Sequence, residues 1–244
     1  MKRNTIAVFK NQFNEFKSSK IQWLLVLIAP LVAFVFPRVL ALEVTAGIEY
    51  WDYPNQVAPV VGVLVTSAIS LCIFALTVAG HRKNGYLSDT KLIPYLLGVG
   101  GFYLILTMVG AVFVALAGQL GGFTFANFML ITLLTFICSA LIGAIIGILS
   151  KSKQMAFQIV YPLSAVIILV FKYRNGVPAI PLEQIRPHIN WLYLERMNNM
   201  LFEVHTGNFI VDVYFMLGNI VVLTVVLTIL YNYHRKTSAN ASEE

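Results

Sequence analysis

The side chains able to do chemistry are few and scattered. Four histidines, His81, His188, His205 and His234, each stand in a polar stretch or at the edge of an apolar run, and read as solvated groups rather than ligands or proton shuttles. Cys72 and Cys138 both fall inside apolar runs, where a thiol behaves as a small buried hydrophobe. No Gly-Xaa-Ser-Xaa-Gly elbow, no His-Glu-Xaa-Xaa-His pair and no clustered Cys and His at metal spacing occurs, so hydrolytic and metal chemistry lack the residues they require. Within the long apolar runs the ionisable groups are almost confined to Arg38, at the end of the first, and Asp212, at the start of the last. A carrier coupled to protons or ions needs acids or bases at mid-membrane whose charge changes during transport, so a secondary transporter is disfavoured. The expectation is a chain that is not an enzyme and holds neither cofactor nor metal itself.

The elements that would position these residues are membrane helices. Of 244 residues, 58% are apolar and 11% charged, whereas a soluble domain carries about 25% charged residues. About 20 apolar residues at 1.5 Å each cross a hydrocarbon core. Six stretches serve: Ile21 to Leu42, Val57 to Gly80, Leu92 to Ala117, Phe128 to Leu149, Met155 to Phe171 and Phe209 to Tyr231. In the fifth, Tyr161-Pro162 reads as a kink tolerated within a bundle. The five basic groups of residues 1–20 resemble a signal peptide's start, but the apolar segment behind them is too long and lacks a cleavage pattern, so it is expected to stay attached.

Residues 1–20 read as an amphipathic helix lying in the headgroup plane, because Ile6, Phe9, Phe13 and Phe16 recur at helical steps with Lys2, Arg3, Lys10 and Lys17 beside them. With that helix inside, the pieces on its side of the membrane hold 12 Lys and Arg and the other side five, which orients both termini toward the cytoplasm. Trp23, Trp51, Tyr53, Tyr173, Trp191 and Tyr231 stand near the proposed boundaries, as an interfacial belt requires. The longest polar piece, 172–208, lies outside and carries a helical stripe of Leu194, Met197, Leu201 and Val204 able to dip partly into the membrane. The expected fold class is thus an all-α membrane protein. It comprises an interfacial helix at 1–20, a six-helix transmembrane domain at 21–233 with short extracellular helices between spans five and six, and a cytoplasmic tail at 234–244.

Small and hydroxylated residues in the spans, among them Thr66, Ser67, Ser70 and the Gly143 to Gly147 pair, are packing devices first. The patterned connector is 81–95. It carries His81, Arg82 and Lys83, then Gly85, Leu87, Leu92 and, nine residues after the glycine, Pro94. The leucines give a short amphipathic element on the membrane surface and Pro94 marks re-entry. In this the segment resembles the first intracellular coupling helix of ABC type-2 exporter permeases, where a Gly-Thr-Leu stretch runs to a Leu-Leu-Xaa-Thr-Pro stretch at the same spacing. Gly85, Leu87, Leu92 and Pro94 match. The family's acidic residues before the glycine are here His81, Arg82 and Lys83, and its threonine is Tyr86. The resemblance extends to the whole layout, with its elbow helix, six spans, the short turn Ser150 to Gln154 and outer short helices.

The resemblance implies a half-transporter in the bacterial plasma membrane, paired with a second copy or a paralogue. Because the chain has no phosphate-cradling Gly-rich loop followed by Lys and Ser or Thr, ATP and Mg would be bound by a separate cytoplasmic ABC ATPase. Arg82, Lys83, Gly85, Leu87, Leu92 and Pro94 would contact that ATPase, and Phe9, Phe13 and Phe16 would anchor the elbow. The expected cargo is hydrophobic or amphipathic, a peptide toxin, bacteriocin or drug. The competing readings are a polysaccharide or lipid exporter permease and a non-transporting immunity or sensor protein. Nucleic acid is not an expected partner, since the net charge of +6 belongs to the membrane flanks.

Overall fold

The computed structural model describes residues 5–18, 27–28, 30–35, 52–83, 87, 90–174 and 193–240. Among them there is no strand. The helices are α1 (Thr5–Ser18), α2 (Asp52–Lys83), α3 (Leu92–Ala117), α4 (Gly122–Leu149), α5 (Lys153–Arg174), α6 (Tyr193–Phe202) and α7 (Ile210–Asn240), with residues 30–35 also helical. Four of these are long and apolar enough to cross a membrane: Ala58–Lys83, Leu92–Ala117, Gly122–Leu149 and Ile210–Thr237. At 1.5 Å per residue even the shortest measures about 39 Å, more than a hydrocarbon core. The chain is therefore a membrane protein built of helices. Most of the expected first span, Ile21 to Leu42, and much of the outer segment lie outside the described residues, whereas a continuous helix, α5, runs through the expected fifth span.

Local chemistry explains the ends. Pro94 occupies the third position of α3, in the first turn, where its missing N–H costs no intrahelical bond. The α3–α4 turn closes α3 with a Schellman arrangement, the Leu120 amide donating to the Ala115 carbonyl at 2.9 Å and the Gln119 amide to Leu116 at 3.1 Å. Gln119 takes the left-handed φ of 52° that such a cap demands.

Helices α2 and α4 form the centre. A Cβ on Gly143 would meet the Leu71 carbonyl at 2.5 Å, and one on Gly147 would meet the Val78 Cβ at 2.6 Å, so the two backbones touch where the small residues stand. Helix α5 packs on α2, with Cys72 Sγ 3.3 Å from Ser164 Oγ. Helix α3 lies on the other flank and carries α1 on its outer face. Helix α7 is peripheral: 11% of its span is buried, against 67% for α2.

Helix α6 does not lie on the surface. The Tyr193 hydroxyl sits 3.1 Å from Ser67 Oγ and 3.2 Å from Ser139 Oγ, themselves 2.7 Å apart. Ser139 is about 15 Å along α4 from its Leu149 end and about 26 Å from its Gly122 end. From that depth α6 runs outward along α4, burying Met197, Met200 and Leu201, until Asn127 donates to the Val204 carbonyl at 2.9 Å. The stripe expected at Leu194, Met197, Leu201 and Val204 is thus buried at its last three positions and half-buried at Leu194, with Tyr193 and Met200 added.

Candidate functional site

The polar groups collect at the end of the bundle where α2, α4 and α7 finish and α3 and α5 begin. Lys83, Lys91, Lys151, Lys153, Arg235 and Lys236 are exposed there, so this is the basic end. Inside it, residues from six helices are tied together around the 81–95 connector.

Helix α2 ends in His81 and two cations, Arg82 and Lys83, suited to the negative end of a helix dipole. Arg82 does not point into solvent. It is partly buried and donates to the carbonyls of Ile148 and Ser150, the latter at 3.0 Å. These carbonyls belong to the C-terminus of α4, where the last four lack intrahelical partners, so one guanidinium caps a neighbouring helix. Ser150 completes that cap, its hydroxyl donating to the Ile146 carbonyl at 2.7 Å. The Lys153 stem lies across Gly80, where a Cβ would come within 2.2 Å of Cε.

His81 is buried, contrary to its expected solvated state. Its Nδ1 is 2.9 Å from the Tyr95 hydroxyl of α3, and its Nε2 is 3.6 Å from the Glu15 carboxylate of α1. One imidazole therefore connects three helices. His81 holds the Glu15 carboxyl below its ordinary pKa; partial burial opposes this, and Asn11 and Lys153 add to it.

Leu87 is 1% exposed, packed in the core with Tyr95, Leu227 and Tyr231. The Tyr231 hydroxyl of α7 lies against the carbonyls of Leu87, at 3.0 Å, and Thr90, sharing its single proton between them. The connector is thereby clamped by the last helix. Leu92 and Pro94 are partly exposed and Lys83 is exposed, while Gly85 lies outside the described residues. Of the six residues expected to face an ATPase, then, Lys83, Leu92 and Pro94 reach the surface, and Arg82 and Leu87 hold the connector in place.

Phe9, Phe13 and Phe16 converge on one ring, Phe102 of α3, at centroid distances of 5.5, 6.2 and 5.3 Å in edge-on arrangements. Their anchor is protein, although Phe13 remains half exposed. The buried line of α1 is Val8, Gln12 and Phe16, and Ile6, expected in the apolar stripe, is 76% exposed. Gln12 donates to the Tyr103 hydroxyl at 2.9 Å.

Sequence reasoning missed Gln12, Tyr95 and Ser150 as parts of this cluster and assigned Tyr231 to the interfacial belt. A polar residue within an apolar stripe, as at Gln12, was the available signal. Away from this end, Asp212 pairs with Arg196 at 3.0 Å, and that guanidinium sits 4.0 Å over the Phe215 ring. No group of His, Cys, Asp or Glu among the described residues is arranged to hold a metal ion. No family model, curated protein or solved structure matches the chain.

Proposed function

We propose that the chain is the membrane subunit of an ATP-driven exporter of the ABC type-2 kind, with six spans, α1 as its elbow helix and the basic end in the cytoplasm. The observation that carries this reading is the clamped connector. A loop that only joined two spans would need neither Tyr231 across its carbonyls nor Arg82 and His81 fastening its root to α4, α3 and α1. Such fastening is what a lever requires: force applied to exposed Lys83 and partly exposed Leu92 and Pro94 passes into four helices without melting the loop. Helix α1, packed on Phe102 of α3 and joined to His81 through Glu15, supports its reading as the elbow. The cargo best suited to walls of aliphatic and aromatic residues is a hydrophobic or amphipathic peptide or drug.

The test is to co-express the chain with the ATPase encoded beside it and to measure co-purification and peptide-dependent hydrolysis. A stable complex whose hydrolysis responds to peptide is expected. Leu87 is too buried for a clean probe, so Leu92→Glu and Tyr231→Phe are the informative variants. Leu92→Glu should weaken the complex, and Tyr231→Phe should leave the complex intact but loosen the response of hydrolysis to peptide. A chain that purifies alone and is indifferent to Leu92→Glu overturns the proposal in favour of a sensor or immunity protein. A complex that responds only to lipid or sugar carriers redirects the cargo.

A further inference from the structure

A second polar feature lies at mid-membrane and is independent of the basic end. Between α2 and α3 a half-open cleft is lined by Thr66 and Ser70 on one wall and Tyr103, Thr107 and Gly110 on the other, with the Phe136 ring of α4 at its base. Ser70 stands about 18 Å along the helix from Ala58 and about 20 Å from Lys83, so the cleft sits near the middle of the bilayer.

Several hydroxyls on the long helices bond back to their own turn, Thr132 to the Phe128 carbonyl at 2.8 Å, Thr224 to Ile220 at 2.7 Å and Thr228 to Thr224 at 2.8 Å, although buried Thr135 of α4 has no partner. That back-bond is the ordinary way to hide a hydroxyl in hydrocarbon. Ser67, one residue from Thr66, is instead bonded to Ser139 and Tyr193. By contrast, Thr66, Ser70 and Thr107 form no hydrogen bond, although Ser70 is 4% exposed and faces the cleft. Three hydroxyls kept free in one crevice at this depth call for partners from outside the chain. Gly110 keeps the crevice wide, since a Cβ there would meet nothing within 4 Å.

We propose that this cleft is a lateral binding site for a neutral amphiphile, which enters from the bilayer and places an uncharged hydroxyl or carbonyl against Thr66, Ser70 and Thr107. The class follows from the walls. No lining residue is charged, and a charged headgroup does not descend to mid-membrane without a partner. The enclosed space of about 30 Å³ admits one or two water-sized groups, so it receives the polar tip of a molecule whose chains stay in lipid. The site stands whether or not the chain works with an ATPase.

The test uses the full chain in lipid nanodiscs containing either of two photoactivatable probes with identical diazirine acyl chains, diacylglycerol or phosphatidylglycerol. Labelled positions are mapped by mass spectrometry, with exposed Val221, Val222 and Val225 of α7 as the measure of ordinary lipid contact. Diacylglycerol should label 66–74 and 103–110 at least about fivefold above α7, a modest ratio because hydrogen bonds inside membrane bundles are individually weak. The combined variant Thr66→Val, Ser70→Ala, Thr107→Val should bring cleft labelling down to the α7 level, and Gly110→Leu, at a position where a Cβ meets nothing within 4 Å, should do the same. Equal labelling of cleft and α7, equal labelling by the anionic probe, or undiminished labelling of both variants overturns the site.

Discussion

At the scale of single residues, the groups that matter are those whose surroundings reverse their expected state. His81 follows an apolar helix and precedes two cations, which in sequence reads as a solvated end; its partners Glu15 and Tyr95 come from helices that fold back onto it. Nothing local to residue 81 announces that, and the same holds for Tyr231, whose contact with the Leu87 carbonyl joins positions 144 apart. The Glu15 contact yields a pH dependence of definite sign. Its carboxyl pKa is depressed in the folded protein below the ordinary 4.5, chiefly by His81, so ionised Glu15 contributes to the attachment of α1 above that value. The contribution is lost as pH falls through the lowered pKa. Amide exchange of α1 should therefore be steady near neutrality and accelerate in acid, and Glu15→Gln should remove the acid step. Because Glu15 is half exposed, the change is small, under about 1 kcal/mol. An acid step that survives in Glu15→Gln would assign the effect to another group.

Whole elements were far more legible, because hydropathy over about 20 residues is a property of the segment and needs no partner. The cores of α2, α3, α4 and α7 lie where the apolar runs lie, and the extra turn 122–127 of α4 carries Asn127 to its bond with Val204. The stripe on α6 was visible from its period, but its depth was not, since Tyr193 finds Ser67 and Ser139 only after the bundle forms. Packing of elements is testable at the glycines. Gly143→Ala places a methyl 2.5 Å from the Leu71 carbonyl, so α2 and α4 must part, at a cost of roughly 1–3 kcal/mol. Gly101→Ala, at a helical site where a Cβ meets nothing within 4 Å, should instead stabilise α3 by about 0.5–1 kcal/mol. Unfolding in mixed micelles by titrated denaturing detergent reads both. Similar midpoints for the two variants would mean that the α2–α4 contact is looser than the structure has it.

For the whole molecule, the question is which way the bundle stands, and the answer rests on charge rather than packing. The same contacts would form in either orientation. Exposed Lys83, Lys91, Lys151, Lys153, Arg235 and Lys236 mark one end, whereas at the other Arg196 is neutralised by Asp212, and Gln119, His205 and Thr206 stand at the surface. Lys and Arg retained on the cytoplasmic side orient membrane proteins, so the basic end should face inward. The protein's own thiols permit a direct check: Cys138 is buried and Cys72 partly so, both within the bundle, and Cys→Ser or Cys→Ala at each leaves a silent background. On that background, Lys83→Cys, Lys151→Cys and Lys236→Cys should react with a membrane-impermeant maleimide only in inside-out vesicles, and Gln119→Cys and His205→Cys only in intact cells. The alternation also counts crossings. Lys151 and His205 on opposite sides require an odd number of spans between them, which α5 supplies if it crosses and α6 does not. Reaction of Lys151→Cys and His205→Cys from the same side would turn α5 back within the membrane and reduce the number of crossings, removing the layout on which an exporter permease depends. Uniform inversion of the whole pattern would leave the fold intact but place the clamped connector where no ATP-hydrolysing partner can reach it.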